Sequence, residues 1–118
     1  MQKMVSLPIC REQHIHKEII EHAKHQIPTE EQLFQLSELF KLFGDSTRIK
    51  IISALIADEL CVCDLSNMLI VSQSAISHQL RLLRGCQMVK ARRDGKSVFY
   101  SIANQEMAQL LQIALKLI

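Results

Sequence analysis

Two amphipathic segments separated by a very short connection constrain the fold more than any other feature of this chain. Residues 62–69, "VCDLSNML", and residues 72–85, "SQSAISHQLRLLRG", each repeat apolar side chains at helical spacing. The inward-facing residues are Val62, Leu65 and Leu69 in the first segment and Ile76, Leu80 and Leu83 in the second. The connection "IVS" between the segments is short, as a helix-turn-helix requires.

The rest of the chain predicts more helices and one β-hairpin. Aromatic residues make up only 4% of the sequence and just three residues are glycine, while apolar residues recur at helical spacing. "DSTRIKIISALIADE" predicts a helix that begins at the capping candidates Asp45, Ser46 and Thr47. Two β-prone runs flank Asp94 and Gly95, the pair expected to supply the positive φ angles of a two-residue turn. The expected fold class is mainly α with a small β-hairpin.

The C-terminal segment, "NQEMAQLLQIALKLI", predicts a helix with an apolar face that nothing later in the chain can cover. The face consists of Met107, Leu110, Leu111, Ala114 and Leu117. We therefore expect this helix to pack against another subunit.

Length and composition exclude several classes of protein. At 118 residues the chain fits one domain. It has no run of about 18 apolar residues, and its N-terminus has no apolar stretch long enough for a signal peptide, so we expect a cytoplasmic protein with no membrane partner. In that reducing compartment Cys10, Cys61, Cys63 and Cys86 are expected to be free thiols or metal ligands, not disulfides.

Positive charge is concentrated in one part of the chain. Residues 81 to 96 include six basic side chains and one acid, a local net charge of +5 against +2 for the whole sequence. A charge run is usually a solvated face. This one coincides with the second helix of the helix-turn-helix and with the tip of the hairpin, so it indicates a surface that binds phosphates.

Four segments together resemble the ArsR/SmtB family of metal-responsive winged-helix repressors. They are "KLFGDSTRIKIISAL", "ELCVCDLS", "SQSAISHQLRLLR" and "VKARRDGKSVFYSI", which occur in the order and spacing of the family over residues 30–118. The "ELCVCDL" box is the specific element, and it is most similar to the cadmium- and lead-sensing branch of the family.

The resemblance implies a winged helix-turn-helix that is homodimeric through its N- and C-terminal helices. It also implies a repressor that binds a pseudo-palindromic, double-stranded operator and dissociates when a thiophilic metal binds. The expected effector is a soft divalent ion, cadmium, lead or zinc. Residues 1–28 would form an N-terminal arm with a candidate short helix, and residues 29–118 would form the domain for DNA binding and dimerisation.

The Cys-x-Cys arrangement in the box can hold one ion only at particular places in a helix. Residues two apart in a regular helix point about 200° away from each other, so Cys61 and Cys63 cannot both reach one ion from mid-helix. They can at a helix start, where Cys61 keeps non-helical freedom and the positive end of the macrodipole favours thiolates. Asp64, in the same first turn, is explained by that dipole better than by ligation.

Two thiolates do not complete a site for a soft divalent ion, which takes three or four ligands. Ser66 stands where arsenic-sensing relatives have a further cysteine, which argues against a self-contained arsenic site. The remaining candidate is on the arm, and cadmium-sensing relatives use arm cysteines in this way. The expected metal ligands are Cys10, Cys61 and Cys63, with His14 or His16 as a candidate to complete the set.

The second helix of the helix-turn-helix is expected to face DNA with the side opposite its apolar residues. The candidates for base reading are Gln73, Ser74, Ser77, His78 and Arg81. Contacts with phosphates or the neighbouring minor groove are expected from the end of this helix and from the hairpin, and they position the protein without reading sequence. Those candidates are Arg84, Arg92, Arg93 and Lys96.

Two other classes of function use the same cysteines. A thiol-redox-responsive repressor on this scaffold would oxidise Cys61 or Cys63, although adjacent-but-one cysteines rarely form an unstrained disulfide. An enzyme with a cysteine nucleophile is not expected, because no glycine-rich loop, oxyanion-type motif or α/β pattern accompanies the five histidines. Cys86 is expected to be a small buried hydrophobe.

Overall fold

A computed structural model describes residues 16–118 and confirms a mainly helical fold with a small antiparallel sheet. The helices are α1 (Lys17–Gln26), α2 (Glu30–Leu42), α3 (Ser46–Ala57), α4 (Val62–Leu69), α5 (Gln73–Gly85) and α6 (Gln105–Leu115). The strands are β1 (Leu60–Cys61), β2 (Val89–Asp94) and β3 (Ser97–Ile102). None of these helices is long and apolar enough to cross a membrane.

The chain forms two compact units, one that ends at Leu36 and one that spans Ser37–Ile118. In the described part of the first unit, α1 buries none of its residues. Helix α2 begins with a reciprocal capping box, in which the Gln32 N–H donates to the Thr29 hydroxyl at 3.2 Å and the Thr29 N–H donates to the Gln32 side chain at 3.1 Å. Local hydrogen bonds therefore define where this helix begins.

The core of the second unit confirms the predicted inward faces of α4 and α5. Leu65, Ile76, Leu80 and Leu83 are buried, and their apolar spacing explains why both segments are helical. Val62 and Leu69 pack against the same core with partial exposure. Helices α3 and α6 and both hairpin strands complete the core with Ile51, Ile52, Ala54, Leu55, Val89, Ile102, Met107 and Leu111.

Helix α3 begins where the sequence predicts. Asp45 is its N-cap, and one carboxylate oxygen accepts the N–H of Thr47 at 2.8 Å and the N–H of Arg48 at 3.1 Å. These bonds satisfy two of the backbone donors that a helix start leaves without an intrahelical partner.

The sheet has one more strand than the sequence pattern predicts. Its order is β1-β3-β2, so β3 is central. The short strand β1 pairs with β3 through Leu60 opposite Tyr100 and Cys61 opposite Phe99. Part of the "ELCVCDLS" segment is therefore hydrogen-bonded to the hairpin.

The predicted hairpin turn is wrong by one residue. Asp94 pairs with Ser97 as the last residue of β2, so Gly95 and Lys96 form the turn. Gly95 has a φ of 63°, and neither Asp94 nor Lys96 has a positive φ. A positive φ at the first central residue alone is the type II′ geometry, which favours glycine at that position.

The predicted apolar face of the C-terminal helix is only partly correct. Helix α6 ends at Leu115, so Leu117 lies beyond it. Met107 and Leu111 are buried in the core of the same chain, so they are not left for a partner. The outer side of the helix borders an apolar groove of about 160 Å³ lined by Phe40, Phe43, Ile49, Leu110, Leu111 and Ala114.

Candidate nucleic-acid interface and metal centre

Helix α5 presents a polar face to solvent because its apolar residues point into the core. Ser72 caps the helix, and its hydroxyl accepts the Ala75 N–H at 3.2 Å. Polar side chains on the outer face of the second helix in a helix-turn-helix are the ones that reach base edges. Of the predicted base-reading residues, the structure leaves Gln73, Ser74, His78 and Arg81 exposed and Ser77 half-buried.

Positive charge lies at the end of α5 and on the hairpin. Arg81 and Arg84 of α5, Arg93 of β2 and Lys96 of the turn are exposed. Within residues 16–118, none of these four side chains forms an ion pair. Their charges are therefore free to bind phosphate oxygens.

Arg92 differs from the other basic residues of the hairpin because it is already paired. Its Nε donates to Glu59 Oε1 at 3.1 Å and to Oε2 at 3.2 Å, and the guanidinium lies 5.2 Å from the centroid of the Phe99 ring. The hydrogen bond and charge of Arg92 lower the pKa of the Glu59 carboxyl. The predicted phosphate contact of Arg92 would therefore have to compete with Glu59.

Residues 59–66, here termed the thiol box, place two cysteines at the start of α4. Cys61 is the N-cap, with an extended backbone (φ −90°, ψ 172°), and Cys63 lies in the first turn. The Cys61 N–H donates to Asp64 Oδ2 at 3.1 Å. Hydrogen bonds from the Cys61 thiol and backbone lower the pKa of the Asp64 carboxyl. Cys61 thus has the non-helical backbone that the sequence argument requires.

The sheet connects the thiol box to the hairpin. Phe99 on β3 lies opposite Cys61 on one side and opposite Arg92 on the other. Directly opposite residues in antiparallel strands project to the same face. Cys61, Phe99 and Arg92 therefore form one row across a single face of the sheet.

The two cysteines of the thiol box have the chemistry that a soft metal ion needs, but they are too few to complete a site. Cys61 is half-buried and Cys63 is exposed, and both are free thiols at the positive end of a helix. Within residues 16–118, no group of three or more histidine, cysteine, aspartate or glutamate side chains could hold a metal ion. His16 is exposed, and the predicted ligands Cys10 and His14 lie outside the described residues. The described residues therefore offer two thiols, fewer than the three or four ligands that a soft divalent ion takes.

The prediction for Cys86 is wrong, because its side chain is exposed. Cys86 follows the last residue of α5 as the C-cap, and the next residue, Gln87, has a φ of 61° that turns the chain away. The apolar spacing of α5 ends at Leu83, so the core does not extend to Cys86.

Two contacts of the thiol box are not predictable from sequence spacing. Gln73 Nε2 donates to Cys63 Sγ at 3.5 Å, which joins the box to the first residue of α5. Glu59 pairs with Arg92, 33 residues later in the chain. The excess of positive charge near Arg92 indicates that an acid can pair there, but it does not identify Glu59.

Comparisons with known proteins agree with this arrangement. Residues 45–91 match the family described as "Bacterial regulatory protein, arsR family". The chain is 39% identical over 104 residues to a transcriptional repressor SmtB homolog of Synechocystis, which covers 88% of this chain and 79% of that protein. It is 35% identical over 107 residues to a cadmium resistance transcriptional regulatory protein CadC homolog of Staphylococcus aureus, covering 90% of this chain and 88% of that protein.

A solved structure has the same fold. The crystal structure of Rv0081 from M. tuberculosis superposes with a TM-score of 0.70 at 34% identity, and the match covers 75% of this chain and 90% of that chain. The predicted resemblance and the winged helix-turn-helix fold, in which the hairpin is the wing, are confirmed. The chain belongs to the ArsR family of bacterial regulatory proteins, which are DNA-binding transcriptional regulators and not enzymes.

Proposed function

We propose that the protein is a metal-responsive repressor. In this proposal a homodimer binds a pseudo-palindromic operator and dissociates when a thiophilic ion, cadmium, lead or zinc, binds the thiol box. The observation that carries the proposal is the position of Cys61 and Cys63 at the start of α4, with Cys63 in contact with α5. The names of two relatives support the same function: one is a transcriptional repressor SmtB homolog, and the other is a cadmium resistance transcriptional regulatory protein CadC homolog.

DNA recognition is assigned to α5 and the wing. The exposed polar residues at the start of α5 would meet base edges in the major groove, because an α-helix fits that groove. The unpaired basic side chains would contact phosphates and fix the register of the protein on the duplex. The proposed base-reading set is Gln73, Ser74, Ser77, His78 and Arg81, and the proposed backbone set is Arg84, Arg92, Arg93 and Lys96.

A homodimer accounts for the apolar surface that the second unit leaves uncovered. Phe40 is 55% exposed, and it lines the apolar groove that also borders Leu110 and Ala114 of α6. Contiguous exposed apolar groups are a feature of protein–protein interaction sites. A two-fold dimer presents two copies of α5, which is why a pseudo-palindromic operator is expected.

The proposed metal ligands are Cys61 and Cys63 from the thiol box and Cys10 from the arm, with His14 or His16 as a further candidate. Thiolates suit soft ions such as cadmium and lead, and they also bind zinc. The role of Cys10 rests on sequence alone, because two thiols leave such an ion one or two ligands short.

The proposed mechanism is a linkage between two binding sites. Metal binding would favour an arrangement of the dimer in which the two recognition helices are poorly spaced for successive major grooves of the operator. The coupling free energy must then be reciprocal, so bound operator weakens metal binding by the same factor.

The test combines metal and DNA binding on the reduced protein. An operator duplex is first selected from a random-sequence library with metal-free wild type. The charge-transfer absorbance between sulfur and cadmium is titrated for wild type, Cys61→Ser, Cys63→Ser and Cys10→Ser, and operator affinity is measured with and without cadmium. The matched control is Cys86→Ser, because Cys86 is an exposed cysteine outside the box.

If the proposed function is correct, cadmium should weaken operator binding in wild type and in Cys86→Ser. It should have no such effect in Cys61→Ser or Cys63→Ser. A charge-transfer band that does not depend on Cys61 would contradict it. Loss of the band in Cys10→Ser would support the arm ligand, and an unchanged band would remove Cys10 from the set. Release of DNA by peroxide in the presence of a chelator, without any response to cadmium, would instead support the thiol-redox alternative.

A further inference from the structure

A side-chain hydrogen bond joins the thiol box to helix α5. Gln73 Nε2 lies 3.5 Å from Cys63 Sγ, although the two residues are ten positions apart in the chain. Both side chains are exposed, so burial does not hold either of them in place. Gln73 is also the first residue of the face that we assign to base reading.

The two helices under this contact form a rigid pair. Leu65 of α4 and Ile76 of α5 are both 0% exposed and belong to the same core. The Ser66 hydroxyl, in the middle of α4, donates to the Val71 carbonyl at 2.6 Å and so joins this helix to the turn before α5. Because a close-packed core resists gradual deformation, a change at the Cys63 sulfur is transmitted first to the side chain in contact with it.

We infer that Gln73 is the positioning residue that couples the state of the Cys63 sulfur to base reading by α5. This inference rests on the proposed metal-responsive function. A carboxamide has two N–H donors and one acceptor oxygen. When one N–H is donated to Cys63, the other N–H and the oxygen remain for a base edge, and glutamine reads adenine through two such bonds. The metal-free thiol thus holds the amide in an orientation that can read DNA.

Ligation of Cys63 changes both the charge and the position of its sulfur. A ligating cysteine is a thiolate, and its location is set by the other ligands as well as by α4. The bond to Gln73 then changes in length and direction, and the amide leaves the orientation in which it meets a base edge. Because the coupling is reciprocal, operator bound through Gln73 favours the unligated thiol.

The test compares Gln73→Met with His78→Ala. Methionine is close to glutamine in length and helix propensity but donates no hydrogen bond. His78 lies on the same face, and the structure gives it no hydrogen bond or ion pair with any of residues 16–118. For wild type and each variant, affinity for the selected operator duplex is measured by fluorescence anisotropy with a chelator and with cadmium, and the ratio of the two affinities is compared.

Wild type is expected to show a ratio in the range usual for allosteric coupling, roughly 5–150-fold. In Gln73→Met the ratio should fall towards one, whereas His78→Ala should weaken binding equally under both conditions and keep the wild-type ratio. A wild-type ratio in Gln73→Met would overturn the inference and leave the proposed function standing. A ratio of one in wild type would overturn the proposed function itself.

A second measurement does not depend on DNA binding. The side-chain amide signals of Gln73 in an ¹⁵N NMR spectrum are identified by their loss in Gln73→Met. They should shift when cadmium is added to wild type, and the shift should exceed that of Gln79, which lies on the same helix. Equal shifts for the two residues, or none for Gln73, would contradict a direct contact that responds to ligation.

Discussion

Glu59 and Arg92 form a forked ion pair that attaches the wing to the thiol box. Arg92 Nε contacts both carboxylate oxygens of Glu59, at 3.1 and 3.2 Å, and a second guanidinium nitrogen contacts one of them. The same guanidinium lies against Phe99, which is paired with Cys61. The strand that carries the first cysteine is therefore joined to the wing both by β-sheet pairing and by an ion pair.

Removing the charge of Glu59 should weaken this attachment in a pH-dependent way. The pKa of Glu59 is lower in the folded protein than its ordinary value because Arg92 favours the charged carboxylate. The pair therefore stabilises the fold above the unfolded-state pKa, and this stabilisation is lost as the pH falls through the folded-state pKa. Melting curves followed by circular dichroism should show a lower Tm for Glu59→Gln than for wild type at neutral pH. The two values should converge in acid.

The double variant Glu59→Gln/Arg92→Gln tests whether the effect belongs to the pair. If it does, removing Arg92 from the Glu59→Gln protein should lower the Tm less than removing it from wild type. A Tm difference between wild type and Glu59→Gln that persists at acidic pH would show that it does not arise from the charged pair.

Arg93 should contribute to DNA binding as a phosphate contact. Its side chain is exposed, and it has no ion-pair partner among residues 16–118, in contrast to Arg92. Arg93→Ala should weaken binding to all duplexes alike and reduce the slope of log affinity against log salt by about 0.9 per lost contact. The control is Lys41→Ala, because Lys41 is an exposed cation paired with Glu38 on α2. A slope that is unchanged in Arg93→Ala would exclude this residue from the interface.

The parts of the fold that the sequence predicts are those set by local patterns. The inward residues of α4 and α5 follow from helical spacing, and the start of α3 follows from a capping residue, Asp45, next to an apolar run. The local sequence does not determine which two residues form the hairpin turn. Both Asp94-Gly95 and Gly95-Lys96 place glycine where a positive φ is needed. The pairing of Asp94 with Ser97 decides between them.

In the candidate site, too, the features that depend on local sequence were predictable, and those that depend on contacts between distant segments were not. The helix-start geometry of Cys61 was predictable, because the helical spacing of apolar residues begins at Val62, directly after it. The contacts of Glu59 with Arg92 and of Gln73 with Cys63 were not, because each depends on how distant segments meet in the fold. Burial of Cys86 was predicted from the residue type alone, and the end of the apolar spacing at Leu83 overrides that preference.

Asp45 should be a major determinant of the stability of α3. Its carboxylate accepts the N–H groups of Thr47 and Arg48, so Asp45→Ala leaves two backbone donors without that partner. The free energy of unfolding measured in urea should fall by about 0.5–2 kcal/mol. Asp45→Ser is the control, since a serine hydroxyl can also cap and should retain most of the stability. Equal losses in the two variants would mean that capping is not the cause.

Ile70 should be a position where a substitution stabilises the protein. It is the C-cap of α4 with φ 56° and ψ 49°, a left-handed conformation that is unfavourable for a β-branched residue. The side chain is 91% exposed, so replacing it forfeits little apolar burial. Ile70→Asn should raise the free energy of unfolding in urea by about 1 kcal/mol, because asparagine adopts this conformation more readily. Ile70→Val remains β-branched and should give no such gain. A gain in the valine variant, or a loss in the asparagine variant, would show that backbone strain at Ile70 is not limiting.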